Sequence, residues 1–278
     1  MNKLIITAAL TGAGTSKKQA PTVPINAKEI AEEVIAVAKA GAAVAHIHVR
    51  DDEGNGTMDT EKFRETVELT RELMKKENVD IIINLTTSGG MTTDDIRLAH
   101  LKELKPEMCS FDAGTMNWAN SFIFENSPKF LEELGKTTIE YNIKPEIEVF
   151  DGSMIGNAKY YIKKEFLKTP CHFQFVLGVS GGLDASIRNL NFLHEMLPKD
   201  STWSVTGIGK GHLPMVLAGL ALGADGIRVG LEDNILYAPD QVATNVELVK
   251  RAVRIAKEAG REIATASEAR EILNITSK

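Results

Sequence analysis

Eight times along this chain a short apolar run gives way to a longer stretch of helical periodicity, and that alternation constrains the fold more than any single residue. The apolar runs fall at 4–10, 44–49, 80–86, 108–113, 144–150, 172–177, 202–206 and 226–230. The helical stretches fall at 27–40, 59–77, 92–104, 127–141, 152–165, 185–197, 211–223 and 239–259. Each apolar run is bounded by Gly, Pro, Asp or Asn, as expected of parallel strands covered on both faces. Phe63, Val67 and Met74, then Val246, Val249, Val253 and Ala256, recur at helical spacing with charges between them. Eight strand–helix units in 278 residues predict an α/β fold, a (β/α)8 TIM barrel spanning 1–278 as one domain. A short helix at 267–273 follows, with Ser267 as its expected cap and Arg270 leaving the capping box incomplete. The competing open doubly wound sheet normally carries GxGxxG after its first strand. TGAGTSKKQAP has Gly12 and Gly14 but Lys17 in the last position.

Composition narrows the partners. A formal net charge of −6 argues against broad nucleic-acid or membrane-surface binding, while leaving room for an anion in a local basic pocket. Cys109 and Cys171 lie inside apolar runs and are too few for a disulfide framework, which points to reduced core thiols and a cytoplasmic setting. The apolar stretch near the N-terminus suits a buried strand better than a signal peptide, and no run approaches the length of a membrane helix.

The reaction face of such a barrel is formed by the C-terminal strand ends. In AGAAVAHIHVRDD, His46 and His48 are two residues apart, so on a strand both imidazoles leave one face with Cα atoms roughly 7 Å apart. Neutral imidazole is a common metal ligand, and ADGIRVGLEDN offers Glu232 as a third. The alternative is that one imidazole packs and the other hydrogen-bonds locally. Asp233 beside Glu232 is a candidate general base held ionised by Arg228, or else a turn cap whose charge Arg228 neutralises. Glu146 and Glu148 share a parity and can both point into the mouth. LTTSGG offers hydroxyls and backbone donors to an oxyanion. Arg50 follows the histidine strand and either faces the mouth or pairs with Asp51 and Asp52.

LIITAALTGA, VPIN, AGAAVAHIHVRD, LTTSGG, MCSFDAGTMNW, KPEIEVFD, QFVLGVSGG, ADGIRVGLEDN and ATASEAREIL together resemble the β-keto acid cleavage enzymes over essentially the whole chain. The resemblance is closest to the branch of lysine fermentation that acts on 5-amino-3-oxohexanoate. It implies a Zn2+-dependent TIM barrel, a homo-oligomer (a tetramer), with acetyl-CoA as cosubstrate and acetoacetate and 3-aminobutanoyl-CoA as products. It places His46, His48 and Glu232 on the metal, Asp233 as catalytic base and Arg228 as its orienting partner. It also places Thr86 and Ser110 on the keto acid's carboxylate, and Glu148 near its variable end. Implied too is the order of events: C2 of the keto acid attacks acetyl-CoA, and the released thiolate attacks the ketone. Two positions depart from that branch, which carries glutamate where this chain has Gly14 and asparagine where it has Asp112. Asp112, Glu146 and Glu148 supply negative charge for a cationic tail. A zinc hydrolase of the same architecture would draw a further ligand from His172, His194 or His212, and a non-catalytic metal-stabilised barrel would leave no open coordination position.

Overall fold

Eight parallel strands close on themselves in sequence order: β1 (Ile5–Ala9), β2 (Val44–Ile47), β3 (Ile82–Leu85), β4 (Met108–Asp112), β5 (Lys144–Val149), β6 (His172–Leu177), β7 (Thr202–Gly207) and β8 (Gly226–Val229), with β8 pairing back onto β1. This is a computed structural model, and it describes residues 3–89 and 92–276. Between the strands run α1 (Ala27–Ala40), α2 (Thr60–Glu77), α3 (Asp94–Leu104), α4 (Pro128–Glu140), α5 (Gly152–Lys163), α6 (Ile187–Glu195) and α7 (His212–Ala221), followed by α8 (Asn245–Glu258) and α9 (Ala266–Ile272). The (β/α)8 barrel expected from the alternation is the fold observed.

Side-chain alternation divides each strand between two environments. Outward residues such as Ile6, Ile47, Leu85, Phe111, Ile147, Phe173, Phe175 and Ile227 pack beneath the helices. Inward, the lowest layer is apolar: Ile5, Val44, Ile82 and Met108 join Ala264, Ala269 and Leu273, so α9 closes the N-terminal end of the barrel. Above that layer the interior turns polar. Asn84, Glu146, His172, Gln174 and Ser204 are fully or almost fully buried. The top layer opens to the C-terminal face.

Several boundaries differ from those read from sequence. β2 stops at Ile47, because Val49–Arg50 leaves the barrel to pair with Gly56–Thr57 in a hairpin. Similar hairpins follow β4 (Met116–Trp118 with Phe122–Phe124) and β8 (Leu236–Ala238 with Gln241–Val242). The last of these displaces the start of α8 from 239 to Asn245, where Thr244 and Glu247 form a complete capping box. α9 is capped by Thr265 with Glu268, two residues ahead of the expected Ser267. Threonine at that place accepts the Glu268 N–H, and the glutamate reaches back to the threonine N–H, a pairing Ser267 and Arg270 cannot make. Cys109 and Cys171 are buried and unpaired. Gly90 of LTTSGG lies outside the described residues.

Candidate active site

β2 carries His46, and His48 follows one residue past its end. Their rings meet edge to face with centroids 5.2 Å apart. Nε2 of His46 and Nε2 of His48 lie 3.7 and 3.4 Å from the same oxygen, Oε1 of Glu232. Glu232 reaches them from the turn after β8, and two glycines allow that turn to sit against β1. At Gly230, φ is +146° and a Cβ would fall 2.0 Å from the Ala9 carbonyl oxygen. At Gly12, φ is +58° and a Cβ would fall 2.7 Å from Cγ of Glu232. The β1 loop is fixed by Arg50, whose guanidinium donates to the carbonyls of Gly12, Thr11, Thr15 and Gly54 at 2.7, 2.9, 3.0 and 2.9 Å. Arg50 therefore spends its donors on loop carbonyls, with Glu232 and Asp51 adding to the charge that favours its guanidinium. It organises the loop that backs Glu232.

Arg228, inward on β8, is the hub. Its Nε and Nη2 grip both oxygens of Asp233 at 2.9 and 3.0 Å, a bidentate pair. Nη2 also donates to Glu232 at 2.7 Å, and Nη1 to Glu148 on β5 at 3.0 Å. Burial opposes the guanidinium charge, but Asp233, Glu232 and Glu148 hold Arg228 well above its usual value. Burial pushes Asp233 up, against the pull of Arg228, so its carboxylate is more basic than an ordinary one. Thr206 Oγ1 donates to Asp233 Oδ2 at 3.1 Å. That hydroxyl was not singled out by sequence, although the inward parity of β7 carries the signal.

The donor set suits a divalent cation. One ligand atom from each of His46, His48 and Glu232 lies within 4.8 Å of the others. Burial drives His46 down to about 3, so the imidazole is neutral, the form that ligates. Burial opposes the Glu232 charge, but the facing His48 ring and the Arg228 guanidinium outweigh it and hold the carboxyl well below its usual range. Its Oε2 is buried without a partner. Three protein ligands is the number typical of a catalytic site. A second group of three, His46 with Glu146 and Glu148, adjoins it. His172, His194 and His212 join neither: His172 bonds Thr202 and Ser204, His194 lies against Trp203, and His212 approaches Arg251.

Across the mouth, Thr86 Oγ1 accepts the Ser88 N–H at 3.0 Å, and Ser110 Oγ accepts the Thr87 N–H at 2.9 Å. Thr86 Oγ1 keeps its own proton to offer an oxyanion, whereas Ser110 Oγ also lies 3.3 Å from Thr87 Oγ1, whose proton goes to the Ser110 carbonyl at 3.0 Å. Asp112 accepts from Ser88 Oγ at 2.8 Å and is raised by burial. Burial likewise raises Glu148 well above its usual value despite Arg228. Glu146 shares the inward parity of Glu148 and stands two residues further from the C-terminal end of β5. It lies one layer down, 0 % exposed, and accepts from Asn84 Nδ2 at 2.8 Å.

A profile of the β-keto acid cleavage enzyme family matches residues 3–275. The chain belongs to the β-keto acid cleavage enzymes. It is 45% identical over 276 residues to the 3-keto-5-aminohexanoate cleavage enzyme of Fusobacterium nucleatum subsp. nucleatum, with 99% of each chain covered. It is 32% identical to the 3-dehydrocarnitine:acetyl-CoA trimethylamine transferase of Rhizobium meliloti, covering 100% of this chain and 99% of the relative. Among solved structures, the binary complex of ObcA with oxaloacetate superposes with a TM-score of 0.82 at 23% identity, over 92% of this chain and 68% of that longer one, a likeness of fold. Like its relatives, this β-keto acid cleavage enzyme performs carbon–carbon bond cleavage. Among its described residues, no helix is long and apolar enough to cross a membrane.

Proposed function

We propose that this β-keto acid cleavage enzyme uses acetyl-CoA to split 5-amino-3-oxohexanoate into acetoacetate and 3-aminobutanoyl-CoA, with Zn2+ held by His46, His48 and Glu232. The observation that carries the reading is the convergence of those three ligands beside an Asp233 gripped at both oxygens by Arg228. Relatives named for an aminohexanoate substrate and for acetyl-CoA support it.

When bound, the cation supplies Lewis-acid polarisation of the substrate's ketone. Thr86 and Ser110 donate their hydroxyl protons to the substrate carboxylate, which fixes C2 beside Asp233. Asp233 removes a proton from C2, and the carbanion bonds to the acetyl carbonyl of acetyl-CoA, expelling the CoA thiolate. The thiolate attacks C3, and the C2–C3 bond breaks. Asp233 returns its proton to the departing carbon, which leaves as acetoacetate. Arg228 keeps the Asp233 oxygens aimed through both halves of the cycle, and Thr206 holds one of them.

Asp112 favours a cationic tail. Ser88 Oγ donates to it at 2.8 Å, whereas Glu148 is already paired with Arg228 and Glu146 lies deeper and accepts from Asn84. A Cβ at Gly14 would meet nothing within 4 Å, so that loop leaves room for the tail and no charge. The reading also includes a homo-oligomer in the cytoplasm, where a reducing milieu suits two buried free thiols.

A panel of β-keto acids with cationic, neutral and anionic tails, assayed with acetyl-CoA, tests the substrate. The cation should have the highest kcat/KM, and Asp112→Asn should cut that preference about 10- to 100-fold, the worth of a charged hydrogen bond. Preference for a neutral or dicarboxylic substrate would refute the assignment.

A further inference from the structure

One layer below the histidines lies a set of buried polar side chains to which the chemistry above gives no task. Asn84 on β3 is the register partner of His46 on β2. Its Nδ2 donates to Glu146 Oε1 at 2.8 Å, which commits the amide nitrogen and sets the orientation of the amide. The remaining atom, Oδ1, is buried with no partner in strict hydrogen-bond geometry. His46 presents Nε2 to Glu232, and its other ring nitrogen, Nδ1, is buried and partnerless in the same strict sense. Asn84 is the hydrogen-bonding side chain that faces the His46 ring.

An orphaned acceptor therefore stands against an orphaned ring nitrogen. Leaving either buried and unmade is costly, and the two satisfy each other if Nδ1 carries the proton. On the far side of Glu146, His172 Nε2 lies 3.9 Å from Oε2, beyond hydrogen-bond reach, and contacts Ser204 Oγ at 3.1 Å. Histidine ligands characteristically donate their second N–H to a fixed acceptor, which settles both tautomer and ring angle.

We propose that Asn84, oriented by Glu146, is a positioning residue that keeps His46 in the Nδ1–H tautomer and so presents Nε2 to a divalent cation. The proposal rests on the zinc reading above. A purely structural polar layer would fill the same space with no effect on the cation.

Two measurements separate these. The first is a nitrogen-15 spectrum of histidine-labelled wild-type protein, before and after zinc. His46 should show a protonated Nδ1 and a zinc-sensitive Nε2. The second is zinc affinity by competition with a chromophoric chelator. Asn84→Leu should weaken binding about 10- to 100-fold. Glu146→Gln, which keeps an acceptor for Asn84, should leave it little changed. Zinc bound through Nδ1 of His46, or full affinity in a folded Asn84→Leu protein, would overturn the proposal and leave the zinc site standing. Failure of the wild type to take up zinc would overturn both. The spectrum needs no variant, so a misfolded Asn84→Leu protein still leaves the proposal open to refutation.

Discussion

Arg228 gathers three carboxylates, Glu148 from β5 and Glu232 and Asp233 from the turn after β8, and the site's electrostatics follow from that one side chain. Removing it would strand buried charge on several partners at once, so its loss says little about any one of them. Asp233 is the cleaner probe. Asp233→Asn keeps the shape and removes the basicity, so kcat should fall about 100- to 10,000-fold with KM for the keto acid little changed. Steady-state kinetics check this, and near-normal turnover would move the base elsewhere. At this scale much of the site was legible. HIH and RVGLED carry the three converging donors in short, recognisable runs, and parity alone places both histidines on one side. Lateral partners were not legible: Glu146 and Glu148 share a parity, and only the register with β4 and β6 shows that Glu146 sits between Ser110 and His172, and Glu148 between Asp112 and Gln174. The partner of Glu146, Asn84, lies 62 residues away, beyond any local pattern.

At the scale of elements, the barrel strands announced themselves through apolar runs. The three hairpins did not, because their strands are two or three residues long and too short for alternation to register. Exposed Phe122 and Ile123 there read as ordinary apolar residues although they stand at the surface. α9 was seen as a helix, but its task was not. It closes the barrel floor with Leu273, which is 1% exposed among Ile5, Val44, Ile82 and Met108. Leu273→Ala should cost about 2–4 kcal/mol by leaving a cavity there. Denaturant unfolding checks the loss, and kcat at 25 °C should stay at the wild-type level, since the floor lies at the opposite end from the chemistry. A parallel loss of kcat would show that floor and mouth are coupled.

For the whole molecule, acidity is the informative stress. His100, fully buried and stacked on Phe63, bonds the Thr86 carbonyl through Nε2 at 3.0 Å, and burial drives it down to about 3. Between that value and the ordinary 6.5, the unfolded chain takes up a proton that the folded one refuses, so stability falls as pH falls through this window. At pH 5 the loss is about 2 kcal/mol for this one residue. Glu146, pushed up to about 7 from 4.5 by burial, acts in the opposite sense between those values and masks part of the effect. The difference between wild type and His100→Gln isolates it. The wild type should lose more stability than the variant between pH 7 and pH 5, and equal losses would show that His100 is protonated in the fold.

Cleavage by exchange of an acyl unit, with Asp233 shuttling one proton, is most directly tested by following carbon from acetyl-CoA labelled with carbon-13 at its carbonyl. With 5-amino-3-oxohexanoate and the zinc-loaded enzyme, the label should appear at the ketone carbon of acetoacetate, and the new CoA thioester should carry none. Cleavage without acetyl-CoA, or label released as free acetate, would contradict the exchange and favour a hydrolase.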